Sequence, residues 1–284
     1  MKIMNKKICI VTGANRGIGR AIAEGIAEQG HKVILVCRNE IAGKKVLNFI
    51  QEKHGELAAD LVIGDLSSIT TTKTLAENLL TRYPHFNVLI HNVGIWLPKL
   101  VLNEDGLEKS FMVNYLALYQ LTLLLLSKLK ENTPSRVVLV NAELYTKGNV
   151  NLEVTPWGGD FSSMKTYMNT KLCGMLFMRK LAIELEGTGV TTNAVHPGVI
   201  RTGLLQFGGF RGVFLRSIKR FFASPEKGAR GPLHLALSDE VTTNGSYYNQ
   251  LQERTIDAKA CDEVLANQLW ELSGELCNIT KIEK

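Results

Sequence analysis

The stretch Val11-Thr12-Gly13-Ala14-Asn15-Arg16-Gly17-Ile18-Gly19 decides how this chain folds. An apolar run typical of a strand, residues 8–11, precedes it, and apolar residues at helical spacing follow it. Because glycine permits a positive φ and a helix N-terminus offers unpaired N–H groups, a turn between the two suits a pyrophosphate. We therefore predict a dinucleotide-binding turn; the alternative is a tight turn without a ligand. The cofactor-binding candidates in it are Gly13, Asn15, Arg16, Gly17, Ile18 and Gly19.

The composition narrows the class of protein. A length of 284 residues with 45% hydrophobic residues suits a single α/β domain over residues 1–284. The net charge of +6 is mild and spread along the chain, so we expect no nucleic-acid partner. Five cysteines at scattered spacings form no disulfide or zinc pattern, which predicts a reducing, cytoplasmic location and no metal. Residues 1–7 are too short and polar to predict a signal peptide or a membrane anchor.

Short apolar runs alternate with helical patterns along the chain. This alternation predicts a single doubly wound (Rossmann) domain, with a parallel sheet of about seven strands and helices on both faces. The predicted strands cover residues 8–11, 32–37, 57–64, 88–91, 136–140, a run that ends near 196, and 245–248. Residues 116–126 are the most apolar run, but they are too few to span a bilayer and predict a buried helix. Ligands of such folds bind at the carboxyl ends of the strands, where Gly13, Arg38, Asp65 and Asn92 fall.

Two arginines favour NADP(H) over NAD(H) as the cofactor. Arg38 ends the second strand, where an acidic residue holds the ribose of NAD, and no carboxylate follows until Glu40. Arg16 adds a second cation in the glycine turn. The alternative is that both arginines are solvated surface charges. Asp65 also has two interpretations, because it can accept from an adenine amino group or cap the helix that begins near Ser68.

Three further candidate residues, Tyr167, Lys171 and Asn114, lie in two helical stretches. Tyr167 and Lys171 are four residues apart and share one helical face. An ammonium and a positively charged nicotinamide ring would lower the pKa of a tyrosine from about 10, so that it can exchange a proton near neutral pH. Asn114 stands among apolar residues, where a buried amide must find partners. It kinks or pins its helix, or it holds a water.

Together these residues resemble the short-chain dehydrogenase/reductase family, and the C-terminal part resembles its retinol dehydrogenase-like branch. The resemblance rests on the glycine turn, Asp65, Asn92-x-Gly94, Asn114, Tyr167-x-x-x-Lys171 and Pro197-Gly198, in family order over about the first 200 residues. It implies that Tyr167 is the general acid/base, that Lys171 holds the nicotinamide ribose, and that Asn114 fixes a water. Asn92 would pack by the cofactor and Thr202 would touch its carboxamide. The cofactor-binding residues implied in addition are Leu66, Gly94, Tyr167, Lys171, Pro197 and Gly198.

The chain departs from that family pattern at one position. Members of the branch end the fifth strand in a Ser-Ser pair, and the second serine assists the tyrosine; here Asn141 and Ala142 occupy the pair. Loss of one preorganised donor costs roughly 10²–10³ in rate. Asn141 could substitute if the strand register shifts by one residue, and Tyr145, Thr146, Ser162 and Ser163 are other nearby hydroxyls.

Two functions are therefore open. The first is an NADP(H)-dependent oxidoreductase that acts on a lipophilic carbonyl or alcohol, with Asn141 included among the catalytic candidates. The second is a catalytically impaired NADP(H)-binding protein that acts as a sensor or a scaffold. Residues 203–230 are predicted to close over the substrate, and the basic, aromatic stretch 203–227 also suits peripheral membrane contact. Analogy with the family suggests a homodimer or a homotetramer.

Overall fold

The computed structural model describes residues 6–199 and 223–279. Its strands are β1 (Ile8–Thr12), β2 (Lys32–Cys37), β3 (Ala59–Ile63), β4 (Val88–His91), β5 (Ser135–Val140), β6 (Val190–His196), β7 (Tyr247–Asn249) and β8 (Gln252–Arg254). Its longer helices are α1 (Gly17–Glu28), α2 (Glu40–His54), α3 (Ile69–Arg82), α4 (Lys109–Glu131), α5 (Ser163–Glu184), α6 (Pro225–Leu237) and α7 (Glu263–Cys277). The helix α4 contains a π-helical turn at Met112–Leu116.

The strands form one sheet in the order β3-β2-β1-β4-β5-β6-β7-β8. All neighbours from β3 to β7 pair in parallel, which confirms the predicted doubly wound fold. The described sheet has eight strands rather than about seven, because β8 pairs with β7 in antiparallel. No hydrophobic pattern marks β8, since this strand is three residues long, polar and exposed. Parallel pairing brings the carboxyl ends of β1 to β7 to one edge of the sheet.

Alternate side chains of each central strand enter two separate cores. In β1, Ile10 packs with α3, α4, α5 and α7 on one face, whereas Cys9 and Val11 pack with α1, α2 and α6 on the other. Both faces are therefore covered, which explains the nearly continuous apolar runs of these strands. The same alternation fixes the register of the sheet, since a slip of one residue would exchange the two cores.

The apolar run at residues 116–126 belongs to a longer helix than the sequence indicated. The helix α4 has 23 residues, and among the described helices it alone is long and apolar enough to cross a membrane. However, 78% of its most apolar window is buried inside the protein. It packs beside α3 and α5 and against β4 and β5, which agrees with the predicted core helix, and length and composition alone are weak evidence for a membrane span.

The predicted lid segment, 203–230, is only partly described. Residues 200–222 lie outside the described residues, and so do Thr202 and most of the stretch 203–227. The last residues of the segment are helical, since α6 begins at Pro225 with Ser224 as its N-cap, and the lid stays a prediction. This helix packs on α1, where Leu233 contacts the position of Gly25. The backbone N–H of Ala223 donates to the carbonyl of Val199 (3.1 Å), so the two flanks of the segment meet.

Two residues of α5 offer a test of this packing. Leu181 is fully buried in the core, whereas Ile183, on the same helix, is 54% exposed. We expect Leu181→Ala to lower the free energy of unfolding by about 2–5 kcal/mol, because it leaves a cavity. Ile183→Ala should change it by no more than about 0.5 kcal/mol. Urea unfolding at equilibrium measures both, and equal losses would contradict the described orientation of α5.

Candidate active site

The predicted site residues follow the carboxyl ends of six strands. Gly13 comes directly after β1, Arg38 after β2, Asn92 after β4 and Asn141 after β5. Asp65 is the second residue after β3, and Pro197 follows β6 directly. Because these strands are parallel, the six residues lie along one edge of the sheet, as the sequence predicts.

The glycine turn is shaped by two positive φ angles and one close contact. Gly13 has φ 69° and Gly17 has φ 56°, a region that favours glycine. A Cβ at Gly19 would lie 2.3 Å from the carbonyl oxygen of Gly13, so this position requires glycine for packing. At Gly17, where α1 begins, the described part of the chain places nothing within 4 Å of a Cβ. The turn is therefore closely packed at Gly19, and it leaves free space at Gly17, where α1 begins.

Thr12 and Asn92 fasten this turn to the end of β4. The hydroxyl of Thr12 accepts hydrogen bonds from the backbone N–H groups of Asn92 (3.0 Å) and Val93 (3.3 Å). The amide of Asn92 donates to the carbonyls of Thr12 (3.0 Å) and Gly13 (3.4 Å). The amide nitrogen of Asn92 thus supports the glycine turn, a role that the sequence analysis did not foresee.

The second strand leads to the two predicted cofactor cations. Arg16 and Arg38 are both exposed. Asn39 caps α2 by accepting from the N–H of Ala42 (2.8 Å), so Arg38 lies between a strand end and a helix cap. The exposed carboxylate of Glu40 is paired with Lys44 (2.7 Å) on its own helix. The carboxylate nearest to Arg38 in sequence is therefore engaged elsewhere.

Asp65 is not a helix cap, which corrects one of its two interpretations. Its carboxylate accepts from the N–H of Ser67 (3.0 Å) and closes a local turn. The cap of α3 is Ser68, whose hydroxyl accepts from Thr71 (3.3 Å). The reason is spacing, since Asp65 lies three residues before the cap position. Leu66, beside it, is buried. The adenine role of Asp65 stays a prediction.

Asn114 ties the loop after β4 to two helices. Its amide accepts from the N–H of Ile95 (2.7 Å) and donates to the carbonyl of the same residue (2.9 Å). The amide also donates to the hydroxyl of Thr170 (3.0 Å) on α5. Asn114 itself lies in the π-helical turn of α4, a distortion that is frequent at functional sites. These bonds favour the pinning role, and the predicted water stays a prediction.

Tyr167 and Lys171 lie on one face of α5, both buried. The Lys171 ammonium lies 5.7 Å from the centre of the Tyr167 ring and donates to the carbonyl of Val140 (3.3 Å). It also faces Gly94, where a Cβ would stand 3.6 Å from Nζ. The helix, the end of β5 and the loop after β4 therefore meet around this pair.

Burial controls the protonation of both groups. It raises the pKa of Tyr167 to about 12 and lowers the pKa of Lys171 to about 8. The lowered pKa that was predicted for Tyr167 beside an ammonium and a charged nicotinamide is wrong for the chain by itself. The physical reason is that a phenolate loses its hydration in this position, and the neighbouring ammonium does not offset that loss.

Trp96, which was not among the predicted site residues, covers Tyr167. The indole stacks on the phenol with centroids 4.9 Å apart and planes 12° apart. Its N–H donates to the hydroxyl of Ser163 (2.9 Å), and Ser163 donates to the carbonyl of Leu97 (2.6 Å). No sequence pattern links Trp96 to Tyr167 or to Ser163, because Trp96 is distant from both along the chain.

The residues at the end of β5 have their hydrogen bonds within the protein. The amide of Asn141 donates to the carbonyl of Lys171 (3.1 Å) and accepts from the N–H of Ala142 (2.9 Å). Asn141 is buried, so its side chain braces β5 against α5. A methyl group at Ala142 offers no donor.

The other candidate hydroxyls are mostly engaged as well. Tyr145 is buried and accepts from the N–H of Asp257 (3.0 Å). Thr146 is bonded to Glu143 (3.1 Å), and Ser163 lies between Trp96 and Leu97. Ser162 is exposed and accepts through its carbonyl from Thr166 (2.7 Å). None of these contacts identifies a replacement for the serine.

The residues present fit a dinucleotide. The open N-terminus of α1 suits a pyrophosphate, with Gly17 leaving room for close approach. Gly94 keeps the space in front of the Lys171 ammonium clear. Beyond β6, Pro197 is buried and Gly198 turns the chain with φ 91°. A ligand that runs along this edge would pass from the glycine turn towards Tyr167.

The comparison with protein families agrees with this architecture. The model of the family described as short chain dehydrogenase matches residues 7–207. The chain therefore belongs to the short-chain dehydrogenase family, and it is an oxidoreductase. Proteins of this family use nicotinamide cofactors.

The chain is similar to named relatives over almost its whole length. It is 34% identical to retinol dehydrogenase 14 of Mus musculus, over 98% of this chain and 88% of that protein. It is 32% identical to retinol dehydrogenase 11 of Homo sapiens, over 96% and 86% respectively. A solved structure of an uncharacterized protein from Mycobacterium paratuberculosis has a TM-score of 0.80 at 26% identity, over 98% of this chain and 95% of that one.

The burial of the Lys171 ammonium should make the free energy of unfolding depend on pH. Its pKa is about 8 in the fold against an ordinary 10.5, so the folded chain binds fewer protons than the unfolded chain between these values. The contribution of Lys171 to stability therefore rises with pH across that window. Relative to Lys171→Met, the wild type should gain on the order of 3 kcal/mol in unfolding free energy from pH 8 to 10.5.

Urea unfolding of both proteins at several pH values measures this gain. The control is Lys180→Met on the same helix, where the ammonium pairs with Glu184 (2.7 Å) at the surface. A difference between wild type and Lys171→Met that does not depend on pH would contradict the described burial of the ammonium.

Proposed function

We propose that the chain is an NADP(H)-dependent oxidoreductase that acts on lipophilic carbonyls or alcohols, with Tyr167 as general acid/base. The observation that carries this proposal is the Tyr167 hydroxyl. In residues 6–199 and 223–279 no side chain or backbone group hydrogen-bonds with it, although its ring is held by Trp96. Tyr167 is 7% exposed as a residue, but its hydroxyl is not among the buried side-chain atoms that lack a partner, so the hydroxyl is accessible. An accessible hydroxyl without a partner in the fold can exchange a proton with a substrate oxygen.

The proton chemistry follows from this hydroxyl. NADP(H), when bound, supplies or accepts the hydride. In reduction, Tyr167 donates its proton to the carbonyl oxygen of the substrate, and in oxidation it accepts the proton of the alcohol. The Lys171 ammonium favours the phenolate that forms when the proton leaves. In this proposal Lys171 also holds the nicotinamide ribose.

Charge supports the preference for NADP(H). Arg16 and Arg38 are exposed near the glycine turn and the end of β2, where a 2′-phosphate is bound in related folds. The nearest carboxylate along the chain, Glu40, is paired with Lys44 and does not take the place of an acidic ribose ligand. Both cations remain available for a phosphate.

Apolar residues around the site support a lipophilic substrate. Leu144 after β5, Met164 at the start of α5 and Val199 after β6 are 38%, 46% and 63% exposed. Large apolar side chains gathered at a ligand-binding edge favour an apolar ligand. The relatives at 32–34% identity are named for retinol, an apolar alcohol.

The serine of the family pattern is, in our proposal, replaced by Ala142. Asn141 is a poor substitute, because its amide is committed to Lys171 and Ala142. The enzyme would then work with Tyr167 as its main polar group at the substrate oxygen. The sensor or scaffold alternative has no support among the relatives, which are named for catalysis. The cytoplasmic location, the contact with membranes and the oligomeric state stay predictions.

Turnover tests the proposal directly. We expect the wild type to consume NADPH in the presence of an apolar aldehyde, and Tyr167→Phe to lose this activity while it still binds NADPH. Ala142→Ser should accelerate the reaction by up to roughly 10²–10³, because it restores a donor. Absorbance of NADPH and calorimetry measure the two quantities.

The outcomes separate the two functions. Activity in Tyr167→Phe equal to that of the wild type would overturn the proposed role of the tyrosine. A silent wild type that binds NADPH, together with an active Ala142→Ser, would instead favour the sensor or scaffold alternative. An active wild type that Ala142→Ser does not accelerate would show that another donor serves the substrate oxygen.

Cofactor preference is tested at the two arginines. Arg16→Ala and Arg38→Ala should each raise KM for NADPH by roughly tenfold, because a charge-assisted hydrogen bond is lost, and leave KM for NADH unchanged. Arg20→Ala is the matched control, since Arg20 is paired with Glu24 (2.5 Å) on α1. Equal effects on both cofactors would contradict a contact with the 2′-phosphate.

A further inference from the structure

Trp96 is held on two sides, by Asn114 through the neighbouring residue Ile95 and by Ser163. Its preceding residue, Ile95, is held through both N–H and carbonyl by Asn114. Its indole N–H donates to Ser163 on α5 (2.9 Å). The ring is thus fastened at the backbone on one side and at the side chain on the other.

The indole lies on the phenol of Tyr167. The centroid separation of 4.9 Å and the angle of 12° describe a stacked pair. Ser163 and Tyr167 are four residues apart on α5, so a single helical face presents the anchor and the phenol. The indole spans the distance between them and restricts the rotation of the phenol about its side-chain bonds.

The stack pairs a half-buried indole with a buried phenol, and neither ring belongs to the two hydrophobic clusters of the described residues. The hydroxyl of Tyr167 contributes no hydrogen bond within the described residues that would orient its ring. The orientation of the phenol therefore depends on the packing against its neighbours, among which Trp96 supplies a stacked ring.

We infer that Trp96 is a positioning residue, whose indole, anchored to Ser163, holds the phenol of Tyr167 in the orientation required for proton exchange with the substrate. This inference rests on the proposed function. The loss of a nearby packing partner that allows a shift of about 1 Å in a reacting group can cost on the order of 10²-fold in rate. Trp96 thus acts through Tyr167 and not on the substrate itself.

Three variants test the inference by steady-state kinetics with NADPH and an apolar aldehyde. Trp96→Leu removes the aromatic face and should lower kcat by roughly 10- to 100-fold with KM for NADPH unchanged. Trp96→Phe keeps an aromatic face without the N–H and should restore most of kcat. Ser163→Ala removes the anchor of the indole, together with the hydrogen bond to the carbonyl of Leu97, and should give a smaller loss in the same direction.

Trp157→Leu is the matched control, because this tryptophan is 43% exposed and lies in a separate short helix, Thr155–Trp157. Its kinetics should equal those of the wild type. The inference is overturned if Trp96→Leu behaves as Trp157→Leu does. It is also overturned if KM for the aldehyde rises while kcat is unchanged, since Trp96 would then be a wall of the substrate site.

A second readout does not need turnover. Nitration of Tyr167 by tetranitromethane, mapped by peptide mass spectrometry, reports access to the ring. Trp96→Leu should nitrate faster than the wild type, and Trp157→Leu should not. If the wild type reduces no aldehyde, the proposed function fails; faster nitration in Trp96→Leu would still support the stack as the restraint on the ring, and unchanged nitration would overturn the inference.

Discussion

The site depends on the hydrogen bonds of one buried side-chain amide, that of Asn114. It bonds to both backbone groups of Ile95 and to the hydroxyl of Thr170, and so it joins the loop after β4, α4 and α5. Breaking such a network would leave several buried polar groups without partners, which costs about 1–3 kcal/mol for each. The π-helical turn around Asn114 is the local distortion that brings the amide to these partners.

The hydrogen bonds of Asn114 also help to position Tyr167 and Trp96. Thr170 also donates to the carbonyl of Tyr167 (2.9 Å), so the helical turn that carries the phenol is attached to the same network. Ile95 leads directly to Trp96, whose indole returns to α5 at Ser163. At the opposite end of the edge, Asn92 and Thr12 hold the glycine turn. The site is thus preorganised by side chains that carry out no chemistry.

The sequence predicted the fold well because its signals are local. Apolar runs and glycines identify the strands and the turn, and parallel topology then places Gly13, Arg38 and Asn92 at one edge. Helix length was harder to predict, since polar residues interrupt the apolar run of α4. The strand β8 could not be predicted, because three exposed polar residues have no hydrophobic pattern.

The site was predicted less completely, because contacts between distant residues have no signature in the sequence. The stack of Trp96 on Tyr167 joins residues 71 positions apart. The commitment of Asn141 to the carbonyl of Lys171 likewise depends on how α5 packs on β5. The pKa of Tyr167 could not be predicted for the same reason. The sequence shows that Lys171 is close to Tyr167, but it does not show the burial that raises the pKa of Tyr167 to about 12.

The central claim is that this chain would catalyse the transfer of a hydride from NADPH to the carbon of an apolar carbonyl. The most direct measurement uses NADPH that carries deuterium on the transferred position of nicotinamide C4, with an apolar aldehyde, and analyses the alcohol by mass spectrometry. The account predicts an alcohol that bears the deuterium on its carbinol carbon. An alcohol without deuterium, or no alcohol at all from a protein that binds NADPH, would contradict it.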